Sequence, residues 1–423
     1  MKIMFTLGTL AAIGVAFNSA TAQVPEAGAA AFGMAGNLMG AASGYEAVAF
    51  NPAMLAIRAP KFSLNILSLS ANTGLDPVKF NDVTAFGGKV IPNNTKEEWL
   101  TRIGAGGRER GSVDAGLSLI ALSIGHVGAQ VGIVGAGEAN FNQDAMEAIL
   151  YGNAGRTGTA KTFNFLGSNG NGAAFGTGAV SLGIPISSSK EGTEEEETFA
   201  IGITGKYILG LGAGRVQDNG SIITPDNIKA SFPAVFTDTA SFGNAGSGVG
   251  VDLGLAWTKG RTTFSFAARN VFNSFEWDTS KFRATNGTAS FDGSDPKTDF
   301  KQLPYTSAPQ VLRTALEEQK FKPELAAGIA HEMHSLLLTA DASDRIGDGV
   351  EIGPKMHVGV GAEFNGIPLL ALRGGVAAIT GGYQAAFGVG LHLSKIEIGV
   401  GAMTRSGDNG TENGLMFSLF SIR

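Results

Sequence analysis

Apolar positions alternate with small or polar positions along most of the chain beyond residue 60. In residues 383–393, the odd-numbered positions are mostly apolar or aromatic and the even-numbered positions are mostly small or polar. Such a period-two pattern predicts a β-strand, and its length suits a strand that crosses a membrane at a tilt. Residues 394–395 then form a predicted turn. The next strand, 396–404, returns with its apolar positions on the same face.

The same pattern predicts fourteen strands and two kinds of connection. The strands are 61–71, 113–123, 126–137, 173–186, 198–210, 247–258, 261–272, 321–332, 334–343, 355–364, 367–377, 383–393, 396–404 and 414–422. Short turns follow the even-numbered strands 2 to 12 at 124–125, 187–197, 259–260, 333, 365–366 and 394–395. Longer loops follow the odd-numbered strands at 72–112, 138–172, 211–246, 273–320, 344–354, 378–382 and 405–413. Short periplasmic turns and long extracellular loops are typical of outer-membrane barrels.

Composition favours a barrel over a soluble β-sandwich. Charged residues make up only 16% of the chain, below the usual quarter or so, and a sandwich would expose polar faces to water. No apolar run after residue 22 is long enough for a spanning helix. We therefore predict an all-β fold, a transmembrane antiparallel β-barrel of about fourteen strands. Short helices are predicted in the loops at 95–103 after Asn94, at 143–151 after Asn142 and at 310–320.

The first residues predict export. Lys2 precedes an uncharged apolar stretch at 3–17, and Ala20-Thr21-Ala22 forms a small-residue cleavage site. These features are typical of a signal peptide, residues 1–22, cut after Ala22. A membrane anchor is the alternative, for which the apolar run is short. The predicted location is the bacterial outer membrane, with lipid as a partner. The chain has no Cys and a net charge of −6, so we predict no disulfide and no nucleic-acid partner.

A Gly/Ala-rich segment at 28–56 ends in Asn51-Pro52-Ala53, just before the first predicted strand. It resembles the N-terminal hatch of the FadL-type outer-membrane proteins, a group that includes the PorV-like barrels of type IX secretion. The uncharacterised DUF5723-like barrels are the most similar, because they share a helical first loop, the GVGVDLGLAW strand at 248–257 and GAEFNGIPLLALRGG at 361–375. For FadL-type barrels the resemblance implies a plugged fourteen-stranded wall and diffusion of hydrophobic molecules. For PorV-like barrels it implies binding of secreted proteins.

The width of the predicted barrel requires something to fill it. A fourteen-stranded barrel is wider than one that its own side chains can fill, and the predicted inward faces are mostly Gly, Ala and Ser. We predict that residues 23–60 form a hatch or plug inside a barrel made of residues 61–423. Small side chains on the plug would leave an apolar passage beside the wall. Asn51, Pro52 and Ala53 form either a gate hinge or a tight turn into the first strand.

Charged and polar side chains at inward positions are the candidate site residues. Arg on the lipid face costs roughly 2–4 kcal/mol at the membrane midplane, so these side chains are expected in the lumen. The set is Asp252, Arg269, His357, Glu363, Arg373, Gln384, His392 and Glu397. Asp252 with Arg269, and Glu363 with Arg373, lie on neighbouring predicted strands and can pair. They either brace the wall and plug or line a polar gate. Aromatic rings at Tyr207, Trp257, Phe364 and Tyr383 are expected to face lipid near the interfaces.

No motif predicts an enzyme, a cofactor or a metal site. Residues 331–334 have the wrong spacing for a zinc motif. Asp341, Asp344 and Asp348 are typical of a polar loop, with surface calcium as an alternative. The favoured function is a passive channel for hydrophobic small molecules. The alternative is a secretion-linked or scaffolding barrel that binds exported proteins through large loops such as 273–320.

Overall fold

The computed structural model describes residues 24–57, 60–189, 197–292, 296–347, 349–350, 353–407 and 410–422. Fourteen strands form one closed antiparallel barrel, which confirms the predicted fold. The strands are β1 Phe62–Asp76, β2 Arg108–Ile124, β3 Val127–Asn142, β4 Asn169–Ser189, β5 Glu197–Gln217, β6 Gly246–Lys259, β7 Thr262–Asn273, β8 Glu324–Met333, β9 Leu336–Arg345, β10 Met356–Ile367, β11 Leu370–Ile379, β12 Gly382–Leu393, β13 Ile396–Gly407 and β14 Gly410–Ile422. Each strand pairs with the next. β14 pairs back with β1, from Ile422↔Leu64 to Glu412↔Gly74.

The predicted phase of the strands is correct. On β6, Val249, Leu253 and Leu255 are exposed on the outer face, whereas Asp252 is buried on the inner face. Apolar side chains therefore point out of the barrel, as lipid requires. The four rings expected at the lipid face lie on this outer surface: Tyr207, Phe364 and Tyr383 are exposed, and Trp257 stacks on the outward Phe264.

Two predicted turns are wrong by a few residues. β10 continues through a bulge at Asn365-Gly366 to Ile367, and the chain turns at 368–369. There Pro368 fixes its own φ and Leu369 takes a φ of +68°, which supplies the reversal expected at Asn365-Gly366. β8 likewise includes Met333, the predicted turn residue, and the chain turns at 334–335 instead. Residues 190–196 of the predicted turn at 187–197 lie outside the described residues.

Several strands are longer than predicted at the end of the barrel that carries the long loops. β1 ends at Asp76, β2 begins at Arg108 and β3 ends at Asn142, each about five residues beyond the prediction. Most of the added residues are polar or Gly, with Leu75, Ala139 and Phe141 as apolar exceptions, so the apolar alternation weakens while the hydrogen-bonded ladder continues. Apolar residues alternate where one face of a strand contacts lipid. These extensions lie beyond the part of the barrel where that alternation is clear.

The loops hold most of the helices. The helices are α1 Ala30–Gly33, α2 Ala47–Phe50, α3 Phe80–Thr84, α4 Asn93–Gly106, α5 Gln143–Tyr151 and α6 Gln310–Glu317. Short 3₁₀ turns lie at Gly44–Glu46, Pro52–Ala56, Gly152–Ala154, Thr239–Ser241, Thr279–Lys281 and Tyr305–Ser307. The Asn142 side chain accepts the Ala145 amide at 2.8 Å and caps α5. The predicted cap at Asn94 is wrong, because α4 begins two residues earlier than predicted, at Asn93 after Pro92.

Short strands within the long loops extend the structure at the loop end of the barrel. Five of them form a separate small sheet: Phe163–Asn164, Ile222–Ile223, Ile228–Ser231, Thr288–Phe291 and Lys297–Asp299. Four others extend the barrel sheet: Ala234–Thr237, Glu276–Trp277, Phe282–Thr285 and Leu303–Pro304. No helix in the described part of the chain is long and apolar enough to cross a membrane.

Candidate functional site: the occupied lumen

Residues 24–57, here called the lumenal segment, contact the inner face of every strand of the barrel. From β1 to β14, the contacted wall residues include Ser63, Ala121, Gly128, Gly183, Gly202, Gly254, Ser265, Gly328, Asp341, His357, Gly375, Gln384, Gly399 and Gly414. A segment that touches all the strands of a closed barrel from the inside occupies its lumen. Its longer apolar side chains, such as Met34, Leu38 and Leu55, are almost completely buried there.

Wall glycines make this packing possible. A Cβ added to any of thirteen of them would come within 3.3 Å of the segment. They are Gly128, Gly132, Gly183, Gly202, Gly254, Gly328, Gly359, Gly361, Gly375, Gly388, Gly399, Gly401 and Gly414. At Gly183, for example, the added atom would lie 2.9 Å from the Ala56 amide nitrogen. Glycine in a strand marks close approach of another backbone, so much of the high glycine content follows from filling the lumen.

Asn51 fastens one end of the segment to the wall. Its Nδ2 donates to Ser265 Oγ at 2.7 Å and to the Leu255 carbonyl at 2.9 Å, and it lies 3.1 Å from the Phe266 carbonyl. Its Oδ1 accepts the Ala53 amide at 2.9 Å, capping the Pro52–Ala56 turn. The Asn-Pro-Ala motif thus joins the segment to β6 and β7.

A second group of polar contacts holds the middle of the segment. Asn37 Oδ1 lies 3.0 Å from His357 Nε2, and Asn37 Nδ2 donates to the Val360 carbonyl at 3.1 Å. Gln384 donates to the Ala35 carbonyl at 2.7 Å. Asp341 accepts the Met39 amide at 2.6 Å. Buried polar groups on both sides are thereby satisfied across the boundary, which fixes the register of the segment against β9–β12.

The expected pairing of Asp252 with Arg269 is wrong. Asp252 pairs instead with Lys206 at 2.6 Å, and Arg269 pairs with Glu324 at 2.7 Å. β7 bulges at Asn270, whose amide donates to Asp252, and this shift moves Arg269 out of line with Asp252. Arg269 also donates to the Phe50 carbonyl at 3.2 Å and so binds the segment.

The other expected pair belongs to a larger cluster. Arg373 donates to Glu363 at 2.6 Å and to Glu397 at 2.7 Å. His392 Nε2 lies 3.0 Å from the second oxygen of Glu397. The cluster links β10, β11, β12 and β13 near their turn ends. Gly33 of the segment approaches the Arg373 Cβ, because a Cβ added at Gly33 would lie 3.2 Å from it. The arrangement of the cluster is that of a wall brace.

A cavity with about 80 Å³ of free space, open to solvent at its mouth, lies between the lumenal segment and the wall. The polar side chains that line it are Glu26, Ser70, Asn72, Arg269, Glu324, Asp341, Ser343, His357, Gln384 and Arg405. This space carries charges of both signs and is also lined by apolar side chains such as Phe32, Met39 and Phe50. The apolar passage expected beside the plug stays a prediction. Asp341, assigned from the sequence to a surface loop, lies in this lumen.

The opposite side of the lumen is filled with aromatic rings. Phe175 of β4 contacts Phe275, Trp277 and Phe321 of the residue 274–323 loop, with ring centroids 5.3, 5.3 and 4.8 Å away. Phe282 packs against Trp277 at 5.6 Å. Above the lumenal segment, the lumen is thus divided into an open charged side and a closed aromatic side.

Sequence reasoning missed several of these residues. Lys206 and Asn37 were not among the candidates, and Asp341 was considered only at the surface. Lys206 interrupts an apolar strand and so signals a buried ion pair. Phe175 sits at an inward position of β4, where a large ring among small residues marks a packing partner. Asn37 gives no signal in the sequence, because its neighbours are all small or apolar.

Comparison with known proteins agrees with this geometry. The family of unknown function DUF5723 matches residues 52–232, which begin at Pro52, just after Asn51, include the helical first loop and end before the two later motifs. A search of curated protein sequences gives no match.

Solved structures match over nearly the whole chain at low identity. The toluene transporter TodX of P. putida covers 94% of this chain and 97% of its own, at 13% identity and TM-score 0.47. A Pseudomonas aeruginosa FadL homologue covers 96% and 99%, at 12% identity and TM-score 0.49. A TodX deltaS2S3 mutant, described as a monoaromatic hydrocarbon channel, covers 94% and 99%, at 12% identity and TM-score 0.52. The chain is a fourteen-stranded antiparallel barrel similar in fold to the FadL-type channels, and it resembles the DUF5723 family over residues 52–232.

Proposed function

We propose that this protein is a passive outer-membrane channel for small hydrophobic molecules, and that the lumenal segment is the hatch that controls the path. The observation that carries the proposal is the placement of residues 24–57 across the lumen, in contact with all fourteen strands. A wall this wide without an occupant would leak small solutes. The segment is held by separate hydrogen bonds and close glycine contacts, so parts of it can shift without dismantling the wall.

The substrate class is supported by the fold alone. The similar structures include a toluene transporter and monoaromatic hydrocarbon channels, and the chain has an aromatic cluster in its own lumen. Transport down a gradient needs no enzymatic step. The alternative of a barrel that binds exported proteins gains no support from the site or from the comparisons.

A reversible lock tests the hatch. An added Cβ at Gly361 would lie 3.0 Å from the Met34 Cβ, close to the separation of about 3.5–4.5 Å that disulfides use. The chain has no native Cys, so Met34→Cys with Gly361→Cys introduces one defined cross-link between the segment and β10. We expect cells that lack other hydrophobic channels to take up radiolabelled toluene when the pair is reduced and to lose that uptake when it is oxidised.

The two single-cysteine variants, oxidised in the same way, control for chemical damage. Equal uptake by the oxidised and reduced double variant would overturn the hatch mechanism. Deleting residues 27–50 gives a second measurement: conductance in a planar bilayer should rise, because the lumen would then hold only the charged wall and the loop rings.

A further inference from the structure

We propose that residues 79–90 of the first long loop, here called the collar segment, bind the headgroup layer of the surrounding lipid leaflet from outside the barrel, with a preference for anionic headgroups. The inference goes beyond the channel function and rests only on the place of the barrel in an outer membrane. Two observations carry it: the loop folds over the outer face of the wall, and the segment leaves apolar side chains and lysines exposed.

A buried carboxylate shows on which side of the wall the loop lies. Asp114 of β2 pairs at 3.5 Å with Arg405, which lines the lumenal cavity, so Asp114 points inward. Glu109 lies five residues earlier, and the pairing of β2 with β3 is regular over this stretch. Because side chains alternate along a strand, Glu109 points outward. Glu109 is nevertheless buried, so another part of the chain covers it from outside the barrel.

The first long loop provides that cover. Glu109 Oε2 accepts the Val78 amide at 3.1 Å, and Val78 is buried in one apolar cluster with Trp99 of α4. Gly111 shares the outer face with Glu109, and a Cβ added there would lie 3.4 Å from Leu75 Cδ2. At this point the loop therefore folds over the outside of β2, away from the lumen.

The loop leaves the wall close to the lipid-facing surface. Leu69 of β1 and Val131 of β3 are exposed on the outer face, and Val113 continues that face along β2. From Val113 to Glu109 the strand rises roughly 13 Å, or about 10 Å along the barrel axis at the usual tilt. The headgroup layer is roughly 5–8 Å thick in each leaflet. The collar segment thus begins at about the level where lipid headgroups meet water.

The collar segment carries apolar side chains that the protein itself does not cover. Phe80, Val83 and Val90 are 49%, 42% and 90% exposed. Phe86, in contrast, packs edge-on against Trp99 with ring centroids 6.1 Å apart and so ties the segment to the cluster. Grouped apolar side chains at a surface mark an interaction site. A lipid interface can bury them without a partner of matching shape.

The charge of the collar segment favours lipid over other partners. Lys79 and Lys89 are exposed near its two ends, whereas its one acidic residue, Asp82, is paired with Arg102 at 2.8 Å. Lysines beside an anionic leaflet are attracted to it, and their long stems let the ammonium groups reach the headgroups while the apolar side chains insert. A second copy of the chain would bring like charges together, and an apolar solute needs no charge.

Insertion is measured with one cysteine at a time in the full-length chain, which has no native Cys. Val83→Cys carries a bimane fluorophore, and the barrel is placed in nanodiscs of lipids brominated on the acyl chain near the headgroup. We expect the bromines to quench this label. Val131→Cys on the lipid-facing wall is the positive control. Val311→Cys, 58% exposed on α6, is the matched control and should stay unquenched.

The preference for anionic headgroups is measured with the Val83 label in nanodiscs of phosphatidylcholine alone and of phosphatidylcholine mixed with phosphatidylglycerol. The ratio of inserted to water-exposed label should rise with phosphatidylglycerol by about fivefold for each lysine. Lys79→Gln with Lys89→Gln should abolish this rise. Lys297→Gln with Lys301→Gln, which neutralises two exposed lysines of another loop, should preserve it. Heat-dependent migration in SDS gels confirms that each variant is folded.

A Val83 label as unquenched as the Val311 label, with the Val131 label quenched, would overturn the collar and leave the barrel in its membrane. Shielding of the Val83 label that appears in detergent and grows with protein concentration would assign the surface to a second copy instead. An equal inserted fraction in the two lipid mixtures would overturn the preference for anionic headgroups. The channel proposal is tested separately by the Met34–Gly361 lock.

Discussion

Removing the Asn51 side chain should loosen the lumenal segment without opening the wall. Its Nδ2 has two hydrogens shared among three acceptors, so Asn51→Ala removes about two hydrogen bonds, each contributing about 0.5–1.5 kcal/mol. Loss of the cap on the Ala53 amide adds about 1 kcal/mol. The sum, about 2–4 kcal/mol, should shift a local opening equilibrium by roughly 30- to 700-fold, since 1.4 kcal/mol is a factor of ten.

Planar-bilayer conductance and protease cleavage within residues 24–57 are the assays for this variant. Asn65→Ala is the matched control, because Asn65 is equally buried and bonds to Ser418 and Ser421 within the wall. We expect more frequent openings and faster cleavage in Asn51→Ala only. Identical behaviour of the two variants would refute the view that Asn51 restrains the segment.

Three further outcomes follow from the structure. Gly202→Ala should raise conductance because the added methyl overlaps the segment backbone, whereas Gly205→Ala on the same strand meets nothing within 4 Å and should leave conductance unchanged. Arg373→Met leaves two buried carboxylates facing each other, so the urea midpoint should fall by the equivalent of about 3–5 kcal/mol. Burial opposes ionisation of Glu147, but Lys161 at 2.9 Å and the Arg156 amide outweigh it and lower the pKa of Glu147. The ionised carboxylate therefore stabilises its loop above the unfolded pKa, and this stability is lost as pH falls through the lower folded pKa. Hydrogen exchange should show Glu147→Gln loosening residues 143–168 at pH 7, with no difference from the native chain at the acid end.

The wall was predictable because its physical cause is repeated at every strand. Lipid on one face and a lumen on the other impose the same alternation along each crossing. Prediction ended where the alternation weakens: the extensions that reach Asp76 and begin at Arg108 are mostly polar or Gly, so no clear alternation marks them.

The interior was less predictable because it depends on register and on contacts between distant parts of the chain. Asp252 and Arg269 lie on adjacent strands, but the bulge around Asn270, which places residues 269–271 opposite Asp252, is enough to give each a different partner. A plug inside the barrel was predicted because a fourteen-stranded barrel is wider than its own side chains can fill. The contact between Asn37 and His357, in contrast, joins residues that no local pattern relates.

The thirteen wall glycines have a consequence for how the protein is assembled. Each fits closely against a particular part of the segment, and the barrel closes only when β14 at the end of the chain pairs with β1 near its beginning. A finished barrel has no opening in its hydrogen-bonded ladder through which the segment could be threaded sideways. The contacts of these glycines with the segment therefore require either that the segment is in place before β14 pairs with β1 or that it enters through an end of the barrel.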